Sequence, residues 1–148
     1  MSAEMHGYYL EDLKVGMSAV FGKTVTEADI MAFAGVSGDT NPVHLHEEFA
    51  ADTMFKGRVA HGMLSASFIS TILGTKLPGP GCIYVSQDIQ FKAPVRAGDT
   101  VTARAEIIEI VPEKRRVVLK TTCSVGGKVV IDGKAVALVP TRARTAAA

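Results

Sequence analysis

The sequence predicts an α+β chain in which a long antiparallel β-sheet wraps a single central apolar helix. Three observations predict it. The first half is mostly helical in pattern, and from Cys82 the hydrophobic period switches to two. The stretch from His61 to Thr75 carries no charged side chain, and a helix without a polar face needs cover on nearly every side. The pair Gly126-Gly127 joins two alternating runs, which is a tight hairpin signal.

The elements follow in chain order. Residues 17–24 alternate and form a first strand. Thr26 is placed to cap a helix, with Asp29 at the third helical position as in a capping box. Ile30, Phe33 and Ala34 continue at helical spacing, and Gly35 and Gly38 weaken and then stop that helix. Residues 47–55 suggest a short helix. From residue 61, Met63, Leu64, Phe68, Ile69, Ile72 and Leu73 recur at three- and four-residue spacings. The opposite face holds only Ser65, Ala66, Ser67, Ser70 and Thr71, so burial on nearly every side is expected. "LPGPG" ends this helix.

Strands are then read over residues 82–92, 99–110, 115–125 and 128–139, with a turn at 94–98. Asp132-Gly133, inside the last run, reads as a bulge, a second tight turn being the alternative. Residues 141–148 form a short, small-residue basic tail that is expected to fray. A sheet wrapped round one uncharged helix is the hot-dog arrangement, here as one domain over residues 1–148. One sheet does not cover such a helix fully, which predicts a homodimer with two sheets joined edge to edge.

Composition narrows the function classes. Apolar residues are 47% of the 148, enough for one substantial core. The longest apolar stretch, residues 63–73, is broken by hydroxyl side chains and is too short to span a bilayer. The first residues lack a basic segment followed by an apolar one, so no signal peptide is expected. Cys82 and Cys123 match no metal or redox spacing and read as reduced core thiols of a cytoplasmic protein. A net charge of +1 with interspersed signs offers no footprint for nucleic acid or an anionic membrane.

Two stretches carry chemistry. "GDTNPVHL", residues 38–45, contains the pattern D-x-N-x-x-H at Asp39, Asn41 and His44. A histidine titrates near neutral pH, and a neighbouring carboxylate can orient it or share a water with it. Asn41 can hold that water or a neighbouring carboxylate, and Pro42 stiffens the backbone between them. The same residues suit a turn that caps the preceding helix, and composition leaves both readings open. His44 and His46 could face one way with Asp39 and His61 nearby. A bare H-x-H lacks the three convergent ligands a metal needs, so no metal site is expected. The second stretch is "RVAHGML", residues 58–64. Gly62 stands at the mouth of the uncharged helix, where free N–H groups and a partial positive charge suit an oxyanion. It also suits close packing of the helix start.

Together "GDTNPVHL", "RVAHGMLSASFIS" and "LPGPGCIYVSQDIQFKAPVRAGDTV" resemble the MaoC-like (R)-specific enoyl-CoA hydratases, from Thr26 to about Val139. The likeness is to the short bacterial members that supply (R)-3-hydroxyacyl-CoA for polyhydroxyalkanoate synthesis. It implies that Asp39 and His44 hold the catalytic water, that Asn41 supports them, and that the Gly62 N–H binds the thioester oxygen. The substrate implied is an acyl-CoA thioester, with no cofactor beyond the CoA it carries. The acyl tunnel is expected among Ser67, Ser70, Leu73, Leu77, Ile83 and Tyr84, of which Ser70, Leu73 and Tyr84 are favoured. Lys56, Arg58, Lys92 and Arg96 are candidates for the CoA phosphates or are simple surface charges. A hot-dog acyl-CoA thioesterase is the alternative activity, and a non-catalytic acyl-CoA-binding module a third reading.

Overall fold

Residues 3–142 are described by the structure, a computed structural model. Strand β1 (Ser18–Thr24) leads into helix α1 (Glu27–Ser37). The predicted capping box is present: Thr26 Oγ1 accepts the Asp29 N–H at 3.1 Å, and Asp29 accepts the Thr26 N–H at 2.9 Å. That N–H and the ammonium of Lys23 hold the Asp29 carboxyl below the usual carboxylate range. Gly38 ends the helix in the left-handed region, at φ 79°. Two short helices follow, α2 (Pro42–Leu45) and α3 (Glu47–Ala51), then α4 (Gly62–Thr75). The chain closes with β2 (Ile83–Phe91), β3 (Thr100–Val111), β4 (Arg116–Val125) and β5 (Lys128–Leu138).

All four strand pairings are antiparallel, and the sheet order is β1-β3-β4-β5-β2. Helix α4 lies across the sheet and touches every strand. Its buried Ile69, Ile72 and Leu73 meet an inner sheet face of Ala103, Ala105, Ala135 and Ala137, framed by Val101, Ile107, Val117 and Leu119. The alanines let the helix approach closely. Each large aliphatic side chain buried there contributes roughly 1.5–3 kcal/mol. Gly126 and Gly127 take positive φ (55° and 82°) in the β4–β5 hairpin, as a primed turn requires. No described helix is long and apolar enough to cross a membrane.

Two expectations are corrected. The β5 bulge lies at Val130, which is skipped between the pairs Cys123↔Ile131 and Ser124↔Val129, while Asp132 and Gly133 pair regularly with Thr122 and Thr121. The Val130 carbonyl instead accepts the Lys92 N–H at 2.8 Å. Gly133 is there for close approach, because a Cβ would lie 1.9 Å from the Asp88 carbonyl oxygen. Helix α4 keeps an exposed stripe of Met63, Ser67, Ser70 and Gly74, in keeping with the expectation that one sheet does not cover it fully. The tail is anchored at its start. The Arg142 guanidinium binds both Asp12 carboxylate oxygens, at 2.7 and 3.0 Å, and covers the Tyr9 ring. The rest of the tail, residues 143–148, lies outside the described residues.

Candidate active site

The run 38–45 is both a turn and part of a cavity wall. Past Gly38, Ser37 Oγ accepts the Asp39 N–H at 3.1 Å and Asp39 Oδ1 accepts the Asn41 N–H at 3.2 Å. Asn41 Oδ1 then accepts the Val43 N–H at 3.1 Å and caps α2, with Pro42 at the first helical position. This succession of side-chain caps projects His44 inward from α2. Its Nδ1 lies 2.8 Å from the Val59 carbonyl oxygen. A carbonyl only accepts, so Nδ1 carries the proton and Nε2 presents its lone pair. Nε2 lies 3.9 Å from Asp39 Oδ2.

Arg58 fixes the other end of His44. Its Nε–H donates to the His44 carbonyl at 2.7 Å, while its two terminal nitrogens grip the Glu27 carboxylate at 3.1 and 2.5 Å. Arg96 in turn donates to the carbonyls of Arg58, at 3.1 Å, and of Phe55. Two of the four cations considered for CoA are therefore committed internally. Lys92 lines the cavity and Lys56 is exposed.

The residue that sequence reasoning weighed only as a metal ligand is His61. It stands at the N-cap position of α4, is buried, and stacks on His44 with ring centroids 3.8 Å apart. Its Nε2–H donates to the Asp39 carbonyl at 2.9 Å. His61 thus holds the backbone of one member of the pair and the ring of the other. Asp39, His44 and His61 bring ligand atoms within 4.8 Å of one another. A metal bond lies in the imidazole plane, and two rings stacked at 30° aim their lone pairs side by side rather than at one point. His46, the other half of H-x-H, is spent on accepting the Phe49 N–H and capping α3.

Gly62 opens α4, so its N–H has no acceptor within the helix. A Cβ at this position would lie 2.5 Å from the edge of the Phe91 ring, so the glycine also permits that packing. Asp39, Asn41, His44 and Gly62 line one cavity of about 530 Å³, together with His61, Ser65, Phe91, Val130 and Ile131. Ser70, Leu73 and Tyr84 do not line it. Ser70 is in the exposed stripe, Leu73 is in the core, and Tyr84 on β2 donates its hydroxyl to Gln87. The rise of about 1.5 Å per residue puts Ser70 and Leu73 roughly 12 and 16 Å along the helix from Gly62. The wall facing Gly62 comes instead from Phe91 and from the bulge that turns Val130 inward beside Ile131. A misplaced bulge in the sequence reading hid it.

A family model for the MaoC like domain matches residues 13–130. The chain belongs to that family. It is 59% identical over 135 residues to an (R)-specific enoyl-CoA hydratase of Rhodospirillum rubrum, covering 91% of this chain and 94% of that protein. It is 49% identical over 140 residues to a 3-hydroxybutyryl-CoA dehydratase of Methylorubrum extorquens, covering 95% and 89%. Among solved structures, the (R)-hydratase of Aeromonas caviae involved in PHA biosynthesis superposes with a TM-score of 0.84 at 42% identity, covering 88% of this chain and 99% of that one. The hot-dog arrangement inferred from the uncharged helix is thus the family's fold.

Proposed function

We propose that the protein adds water reversibly to trans-2-enoyl-CoA to give (R)-3-hydroxyacyl-CoA. The observation that carries the reading is the pair Asp39 Oδ2 and His44 Nε2, 3.9 Å apart in the same cavity as the free Gly62 N–H. A water about 2.8 Å from both atoms sits off the line between them, with its two contacts at roughly a right angle. One of the pair takes a proton from this water as its oxygen bonds to C3. The C2–C3 π electrons move toward the thioester, whose oxygen gains negative charge and is met by the Gly62 N–H and the α4 dipole. The proton taken from the water is then delivered from the pair to C2, so one H₂O is added in total and both groups end in the protonation state in which they began. Because both groups act from one side, oxygen and proton reach the same face of the double bond. Asn41 supports the site by capping α2, which carries His44.

Hydration is redox-neutral, so the reading needs no cofactor and treats CoA as part of the substrate. Lys92, at the cavity, is the remaining lining cation for the CoA phosphates. The polyhydroxyalkanoate supply role belongs to this reading, as does a place in fatty acid metabolism. The assembly proposed is a homodimer. Free Cys82 and Cys123 suit a reducing cytoplasm. The test is an assay with crotonyl-CoA. Hydration consumes the enoyl absorbance without releasing thiol and yields the (R) alcohol on chiral analysis. Thiol release would mean the thioesterase instead, and ligand binding without turnover would mean a binding module.

A further inference from the structure

The hydroxyl groups of α4 divide into two kinds. Ser67 donates back to the Leu64 carbonyl at 2.5 Å, Thr71 to that of Ser67 at 3.3 Å, and Thr75 to that of Thr71 at 2.6 Å. Such back-bonding is the ordinary outlet for a hydroxyl inside a helix. Ser65 does not use it. The residue is 1% exposed and its Oγ has no partner. A buried hydroxyl left unpaired costs stability, so its presence calls for a reason.

Its place in the fold supplies one. Ser65 lines the reaction cavity and lies three residues after Gly62, on the same helix face. The Cα–Cβ bond of a helical residue leans toward the N-terminus, so the Ser65 side chain overhangs the turn that Gly62 begins. The other unpartnered buried atom in this cavity is His61 Nδ1. With its proton on Nε2, facing the Asp39 carbonyl, His61 has only a lone pair to offer there. Of these two unpartnered atoms, Ser65 Oγ is the one that can donate. An enoyl thioester brings no donor to this region and one strong acceptor, its carbonyl oxygen, which becomes the enolate oxygen during hydration.

We propose that the Ser65 hydroxyl is a second donor to the thioester oxygen, acting beside the Gly62 N–H. The assignment rests on the hydratase reading. It makes Ser65 a catalytic residue whose hydrogen bond is made in the enzyme–substrate complex and strengthens as charge develops.

The experiment compares the full-length protein with its Ser65→Ala variant on crotonyl-CoA. Alanine removes one oxygen and is the best helix former. The expected result is a kcat about 10²- to 10³-fold lower, in line with loss of one oxyanion donor, with a melting temperature equal to or above that of the parent. A second readout uses 2,4-hexadienoyl-CoA bound to Asp39→Asn, in which hydration is blocked. Polarisation of its carbonyl shifts the dienoyl absorbance to the red, and Ser65→Ala in that background should shrink the shift. Ser65→Cys, with a poor donor of similar size, should behave like Ser65→Ala in both assays. An unchanged red shift in both variants would overturn the proposal, as would a kcat within twofold of the parent. A lowered melting temperature with the red shift intact would also overturn it, assigning the hydroxyl a structural role. Failure of the parent protein to hydrate crotonyl-CoA would instead sink the hydratase reading, a separate result.

Discussion

His44 shows how much of the chemistry rests on single side chains. Its proton is fixed on Nδ1 by Val59, its backbone by Arg58, and its ring by the stack on His61. Removing the acceptor on Nε2 should therefore cost turnover without costing the fold. Asp39→Asn and His44→Gln are each expected to lower kcat by about 10²- to 10⁴-fold, with circular dichroism and melting temperature close to the parent. Near-native rates in either variant would remove that residue from the mechanism. Asp39, Asn41 and His44 were legible in the sequence because polar residues of those types at that spacing are conspicuous between apolar runs. His61 and Ser65 were not. A lone buried histidine, and one serine among three in an apolar helix, look alike in sequence whatever their contacts, and only the unpaired atoms distinguish them. The thiols give a pH prediction at the same scale. Burial pushes Cys123 from 9.0 up to about 12 and raises Cys82 as well. The folded state thus keeps these protons after the unfolded chain has lost them, so stability should fall as pH rises above 9. Cys123→Ala should flatten that alkaline slope in denaturant titrations between pH 8 and 10, and an unchanged slope would contradict the assignment.

At the scale of elements, the cavity depends on how β5 meets β4. The bulge at Val130 puts Val130 and the following Ile131 both into buried positions, which a regular strand cannot do with consecutive residues. Period-two patterning locates a strand well and a bulge poorly, since one extra residue leaves alternation intact on either side. The glycine that drew attention in the sequence serves the neighbouring pairing. Gly133 faces Ile89 across the ladder, and its bare Cα faces the Asp88 carbonyl. Backbone cannot swing aside as a side-chain tip can, so Gly133→Ala must part β5 from β2. A loss of about 2–4 kcal/mol is expected, of the size of severe packing and backbone lesions. Urea unfolding would measure it, and a change under 0.5 kcal/mol, the range of a neutral surface substitution, would show that the ladder adjusts. By contrast, the capping box at Thr26 and the stop at Gly38 were readable in full, because each is a local bond between residues three or four apart.

At the scale of the molecule, the uncharged helix was a correct sign of a wrapped fold, and one chain leaves part of it open, as expected of a single sheet. The open stripe of Met63, Ser67, Ser70 and Gly74 runs along α4, and β2 is an edge strand with Ile83 59% and Phe91 55% exposed. An unprotected apolar edge of this kind invites pairing with another strand. A second copy is the occupant that fits, because two-fold pairing of β2 with β2 is self-complementary and continues one antiparallel sheet through both protomers. The predicted mass by light scattering at micromolar concentration is twice 15.6 kDa. Ile83→Lys with Val85→Lys places two charges on that edge and should give the single mass. Met63 and Phe91 belong both to this exposed surface and to the reaction cavity. A partner that covers them therefore completes a wall of the site, and the monomeric variant should show a raised KM for crotonyl-CoA along with its reduced mass. A parent protein of single mass at that concentration would refute the dimer, and a monomeric variant with unaltered KM would place the interface away from the cavity.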